Sequence, residues 1–124
     1  MKWLWLGVAA AAGLAAGCGA ASSGGNTAPP ADAVKVNVEA SNWKWTIDKT
    51  TFKVGQPIDF RVRATEGAHG FSIAGTNINQ TVAQGQDPVD VVWKPDKPGT
   101  YTIQCDVYCG TGHGSMQTQI TVTP

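Results

Sequence analysis

No surplus of charge of either sign marks this chain. Nine lysines and arginines balance nine aspartates and glutamates, charged residues make up 15% of the 124, and the basic ones are scattered singly. Nothing resembles a polybasic stripe, so no nucleic-acid partner is expected. Sustained 3.6-residue periodicity free of glycine and proline is also missing, which argues against a helical bundle. Histidine is reduced to two residues and cysteine to three, while glycine reaches fifteen. Abundant glycine with little charge suits a turn-rich β-domain, and the length allows one domain with a modest core.

A membrane-length apolar run is lacking as well. Residues 3–17 are uncharged and apolar behind Lys2. As a helix they would span about 22 Å, short of the ~30 Å hydrocarbon core. Their alanine and glycine content and small-residue end are those of a secretory signal. Leu14-Ala15-Ala16-Gly17-Cys18 resembles a bacterial lipobox, with Ala15 where a larger aliphatic residue is usual, so Cys18 is the expected lipidation site. An uncleaved anchor with Trp3 and Trp5 at the interface, or a plain signal peptide, are the alternatives. All three put the folded part outside the cytoplasmic membrane. Residues 18–33 are small and polar and read as a flexible tether. The expected division is 1–17 signal, 18–33 linker and 34–124 folded domain.

From Val34 onward the period is two. Val34, Val36 and Val38 alternate with polar residues. Ile58, Phe60, Val62 and Ala64 alternate with Asp59, Arg61 and Arg63, and Tyr101, Ile103 and Cys105 repeat the pattern, as do Ile120 and Val122. An apolar face in and a polar face out is the pattern of antiparallel sheets packed on one side. Turn signals at residues 54–57, 84–88 and 94–99 separate the runs. Seven or so strands in about 90 residues predict an all-β, Greek-key β-sandwich. If Tyr101 and Ile103 face the core, Cys105 faces the same way at the strand's end.

Most of the chemistry is concentrated in twelve residues. Cys105, Cys109, His113 and Met116 follow the spacing Cys-x-x-x-Cys-x-x-x-His-x-x-Met, between strand-like segments 101–105 and 117–122, and His69 stands upstream. Two thiolates, two imidazoles and a thioether form a soft donor set that selects copper over hard cations. The residues alone leave other readings open. Two cysteines in an exported protein could form a disulfide. Two cysteines and two histidines could hold zinc. A single blue copper needs only Cys109, His113, Met116 and His69, which leaves Cys105 surplus.

The segment Cys-x-x-x-Cys-Gly-x-x-His-x-x-Met closing a β-sandwich resembles the CuA domain of cytochrome c oxidase subunit II, a cupredoxin. His69-Gly70-Phe71, Gly75-Thr76-Asn77-Ile78-Asn79 and Lys97-Pro98-Gly99-Thr100-Tyr101 are similar to further segments of that family, especially its short ba-type branch. The resemblance spans roughly residues 35–123. It implies a binuclear centre of two copper ions bridged by Cys105 and Cys109. His69 and Met116 complete one copper; His113 and the backbone carbonyl of Val107 complete the other. It also implies electron transfer rather than bond-making, from cytochrome c or a small copper protein to the haem of oxidase subunit I. Trp43 and Trp45 lie where the family keeps an aromatic stretch that takes up electrons, although alternate tryptophans serve equally as core packing.

Two departures stand out. Val107 replaces the glutamate that in many relatives reaches a magnesium ion at the subunit I boundary, and the short apolar run replaces the usual membrane helix or hairpin. A free-standing lipid-anchored carrier, or a copper-delivery protein, is therefore kept beside the oxidase role.

Overall fold

The computed structural model describes residues 28–124. The signal segment, Cys18 and most of the tether lie outside the described residues. Among the described residues nine strands form two facing sheets: β1 Val34–Ser41, β2 Lys44–Ile47, β3 Thr51–Lys53, β4 Ile58–Ala64, β5 Ala68–Ile73, β6 Asn79–Ala83, β7 Val89–Trp93, β8 Gly99–Cys105 and β9 Gln117–Thr123. One sheet runs β2-β1-β4-β7 and the other β3-β9-β8-β5-β6. The expected all-β sandwich is what forms. Among the described residues no helix is long and apolar enough to cross a membrane.

The strand count exceeds expectation because the chain changes sheets after β2. Asp48 accepts hydrogen bonds from the Asn37 backbone N–H and side-chain amide, each at 2.9 Å, and turns the chain away from the first sheet. β3 then joins the opposite sheet beside β9. The expectation of antiparallel sheets also needs correction: β1–β4 and β3–β9 pair in parallel, while the other pairings are antiparallel. Neither parallel pair is joined by a hairpin. Each joins strands far apart in sequence, so local turn chemistry carries no sign of it.

Alternation places the core. On β4, Ile58, Phe60, Val62 and Ala64 point inward, as do Val36, Val38 and Ala40 on the adjacent β1. Phe60 packs on Phe71 and Phe52 at ring-centroid separations of 5.2 and 6.1 Å, joining the two sheets. At the far end Tyr101 meets Trp93 edge-on at 4.9 Å, and its hydroxyl donates to the Lys97 carbonyl at 2.7 Å. That bond ties the β7–β8 connection to the strand it feeds.

Asp59 keeps the polar-out pattern without being exposed. It lies on the outer face of β4 yet is only 4% exposed, in a groove lined by Pro29, Pro30, Lys35 and Asp90. Burial, then the neighbouring Asp90 carboxyl, raises its carboxyl above the ordinary range.

Phe60→Ala is expected to cost about 3–5 kcal/mol, because it deletes the ring on which both sheets close. Urea unfolding should show a lower midpoint with an unchanged slope. A loss below about 1 kcal/mol would mean that the core closes without this ring.

Candidate metal centre

β1, β4, β6 and β8 all run toward one end of the sandwich, so four connections meet there: residues 42–43, 65–67, 84–88 and 106–116. His69 is the second residue of β5 at this end and is fully buried. Cys105 closes β8 on the core side, as the alternation through Ile103 required. The loop 106–116 then supplies Val107, Cys109, His113 and Met116 before β9 begins. Long-range strand pairing therefore delivers His69, the end of β8 delivers Cys105, and the loop delivers the rest.

All six expected ligand residues come together. The Cys105 and Cys109 sulfurs lie 3.3 Å apart, well beyond the ~2.05 Å of a bonded pair; both cysteines are free. The Val107 carbonyl oxygen is 2.9 Å from Cys105 Sγ. His113 Nδ1 is 3.4 Å and Met116 Sδ 3.9 Å from Cys109 Sγ. His69, Cys105 and Cys109 each offer a donor atom within 4.8 Å of the other two. Met116 is fully buried, so the thioether end of the cluster is closed to water.

His69 shows most directly that the cluster suits a metal. Its Nε2 lies 2.7 Å from the Glu66 carbonyl, which can only accept, so Nε2 carries the proton. Nδ1 is then left with its lone pair, buried and without a hydrogen-bond partner. An orphaned acceptor in a core is costly, and a metal ion would satisfy it while the Nε2–H bond fixes the ring. Gly70 N–H points at Cys105 Sγ from 3.5 Å, a favourable contact for a thiolate. Gly70 must be small: a Cβ there would run into the Asp106 carboxylate, and Asp106 N–H bonds the Gly70 carbonyl at 3.2 Å.

The two tryptophans part company. Trp45 is buried, with its indole N–H on the Met116 carbonyl at 3.1 Å and its ring edge-on to His69. Trp43 is 37% exposed; it lies over Gly110 and Gly112 and donates to the Cys109 carbonyl at 2.7 Å. A Cβ at Gly112 would collide with the Trp43 ring, so that glycine keeps the indole against the ligand loop. Sequence reasoning passed over Tyr108, which is 77% exposed with its ring 5.7 Å from that of His113. Its place directly before Cys109 was the available signal.

The family model described as "Cupredoxin-like domain" matches residues 4–122. Two Thermus thermophilus proteins named cytochrome c oxidase subunit 2 are 41% identical over 63 residues, half of this chain. That segment covers 45% and 36% of their lengths, so the match spans less than half of either. A chain of a heme-copper terminal oxidase dimer superposes with a TM-score of 0.63 at 30% identity, covering 75% of this chain and 66% of that one. The periplasmic domain of subunit II of the Bradyrhizobium japonicum cytochrome oxidase superposes with a TM-score of 0.69 at 16% identity, covering 77% of this chain and 88% of that one. At that identity the likeness is one of fold.

Burial, followed by the hydrogen bond to Cys105 and its charge, pushes the Cys109 thiol from 9.0 up to about 11. A metal must displace this proton, so binding tightens as pH rises. For the metal-free protein the sign is opposite. The unfolded chain ionises this thiol first, so stability holds below about 9 and falls as pH rises toward 11. Urea midpoints of the reduced, metal-free protein should drop over that interval, and Cys109→Ser should flatten the drop. A profile identical in the variant would contradict this assignment.

Proposed function

The chain belongs to the cupredoxin-like domain family, and from that premise we propose that it is a binuclear copper electron-transfer protein serving a terminal cytochrome c oxidase. Its role is to take one electron at a time from a cytochrome c or a small copper protein and hand it to the haem of subunit I. The observation that carries this is the number of donors converging on two thiols. Six groups make up or surround the sulfur pair: a His69 ring nitrogen, Cys105 Sγ, Val107 O, Cys109 Sγ, His113 Nδ1 and Met116 Sδ. A structural zinc site is complete at four. A blue-copper site would leave Cys105 unused, although its sulfur sits among the others. Two ions held between these residues would leave none of the six donors idle.

Copper, when bound, supplies reversible one-electron chemistry, and the soft sulfur donors select it. The chain supplies the surroundings. Buried His69, Cys105 and Met116 keep water from the inner side, which limits the solvent that must reorganise. The Glu66 carbonyl sets the His69 tautomer. On the outer side, Trp43 joins a part-exposed ring to the Cys109 carbonyl through one hydrogen bond. We assign electron uptake to Trp43, with exposed Tyr108 beside it on the contact surface. Trp45 is enclosed and cannot meet a donor.

The apolar run and the cysteine at position 18 support a lipid-tethered domain on the outer face of the cytoplasmic membrane. The Bradyrhizobium japonicum subunit II neighbour described as a periplasmic domain agrees with that side. Val107 brings a carbonyl but no carboxylate, and this keeps alive a second reading: a free-standing lipid-anchored carrier with the same centre.

The test is spin resonance on the copper-loaded protein. One unpaired electron spread over two copper nuclei is expected, and Cys105→Ser should end the sharing. A single-copper pattern in the wild type, or an unaltered one in the variant, would overturn the binuclear reading. Recovery of a haem-bearing partner from membranes supports the oxidase role, whereas purification alone favours the carrier.

A further inference from the structure

We propose that Trp45 is a positioning residue for the metal centre, pinning together the two ends of the ligand loop and fixing the side built by His69 and Met116. The inference rests on the copper reading above and goes beyond it by assigning a role to a residue that touches no metal. Three observations carry it.

The first is a shared acceptor. The Met116 carbonyl, at the last residue of the loop, receives the Trp45 indole N–H at 3.1 Å and the Cys105 backbone N–H at 3.4 Å. Cys105 ends the strand that feeds the loop, so one oxygen joins both ends, and the indole is its shorter partner. The second is placement. Trp45 comes from β2, an edge strand of the opposite sheet, and its ring reaches across to lie edge-on to His69 at 6.4 Å and to Phe71 at 5.7 Å. Met116 and His69, which the copper reading would place on the same ion, thus contact the same indole. The third is burial. Met116 and His69 are fully buried and Trp45 is 6% exposed, so no water can replace the indole N–H if it is lost.

This geometry separates the tryptophans by role. Trp43 binds the middle of the loop from outside through the Cys109 carbonyl, whereas Trp45 binds its closure from inside. Freeing the closure would let Met116 Sδ and the His69 ring drift relative to the sulfurs while the sheets stay paired. A change confined to one metal of a shared pair alters how evenly the electron is held, and with it the reduction potential.

Trp45→Phe keeps an aromatic ring and deletes the donor. In the metal-free protein, hydrogen exchange at the Cys105 amide is expected to quicken about fivefold, the scale of one lost hydrogen bond. In the copper-loaded protein the variant should still hold two coppers. At one fixed ambient potential, its ratio of reduced to oxidised protein should differ several-fold from wild type, where tenfold corresponds to about 59 mV. If the variant fails to fold, 3-benzothienylalanine placed at position 45 keeps the bicycle, replaces N–H by sulfur and is read in the same two ways. A binuclear wild type whose variant leaves either readout unchanged reduces Trp45 to core packing and overturns the proposal. A wild type that binds no copper pair defeats the functional reading itself, and the metal-positioning role with it.

Discussion

Two cysteine sulfurs held 3.3 Å apart without a bond between them are the constraint that organises this molecule. Thiols brought this close inside a protein gain little from each other, and burial with mutual proximity raises the Cys109 thiol to about 11. The fold must therefore hold them together at some cost. It does so by ending β8 on Cys105, returning within three residues to Cys109, and closing the loop where Met116 meets β9. Gly70 on β5 leaves room for the start of that loop, since a side chain there would displace the Asp106 carboxylate. The cost is recovered when a soft metal replaces the thiol protons, which links copper binding to the stability of the loop.

The rest of the sandwich serves to bring His69 to the same place. It lies 36 positions before Cys105, and only the β5–β8 pairing, with Phe71 opposite Cys105, unites them. Behind that pairing, Phe71, Phe60 and Phe52 carry packing from the metal end into the core. Rigidity is what the proposed electron-transfer role requires. Two donor residues fixed on strands, His69 and Cys105, with a carbonyl-locked imidazole and a buried thioether, would leave little to rearrange when the charge changes.

Much of this was legible in the sequence, for different reasons in different places. The alternation of Ile58, Phe60, Val62 and Ala64, and of Tyr101, Ile103 and Cys105, reports directly which side faces the core. The ligand spacing is local, so Cys105, Cys109, His113 and Met116 could be grouped before any fold was known. His69 was reached only because the donor set needed a second imidazole and through the resemblance of His69-Gly70-Phe71. The parallel pairs β1–β4 and β3–β9 were hidden, because they depend on where a distant segment returns. Asp59 followed the polar-out pattern on β4 yet lies buried, through neighbours that alternation does not report. Trp43 and Trp45 could not be told apart by spacing, since the first sits in a turn and the second in a strand.

The centre as a whole is most directly tested by a high-resolution crystallographic map of the copper-loaded domain, with anomalous scattering collected at the copper edge. Two adjacent copper peaks are expected, both in contact with the sulfurs of Cys105 and Cys109, with His69 and Met116 on one and His113 and the Val107 carbonyl on the other. One peak, or two sulfurs bonded to each other with the His69 ring turned elsewhere, would contradict the account.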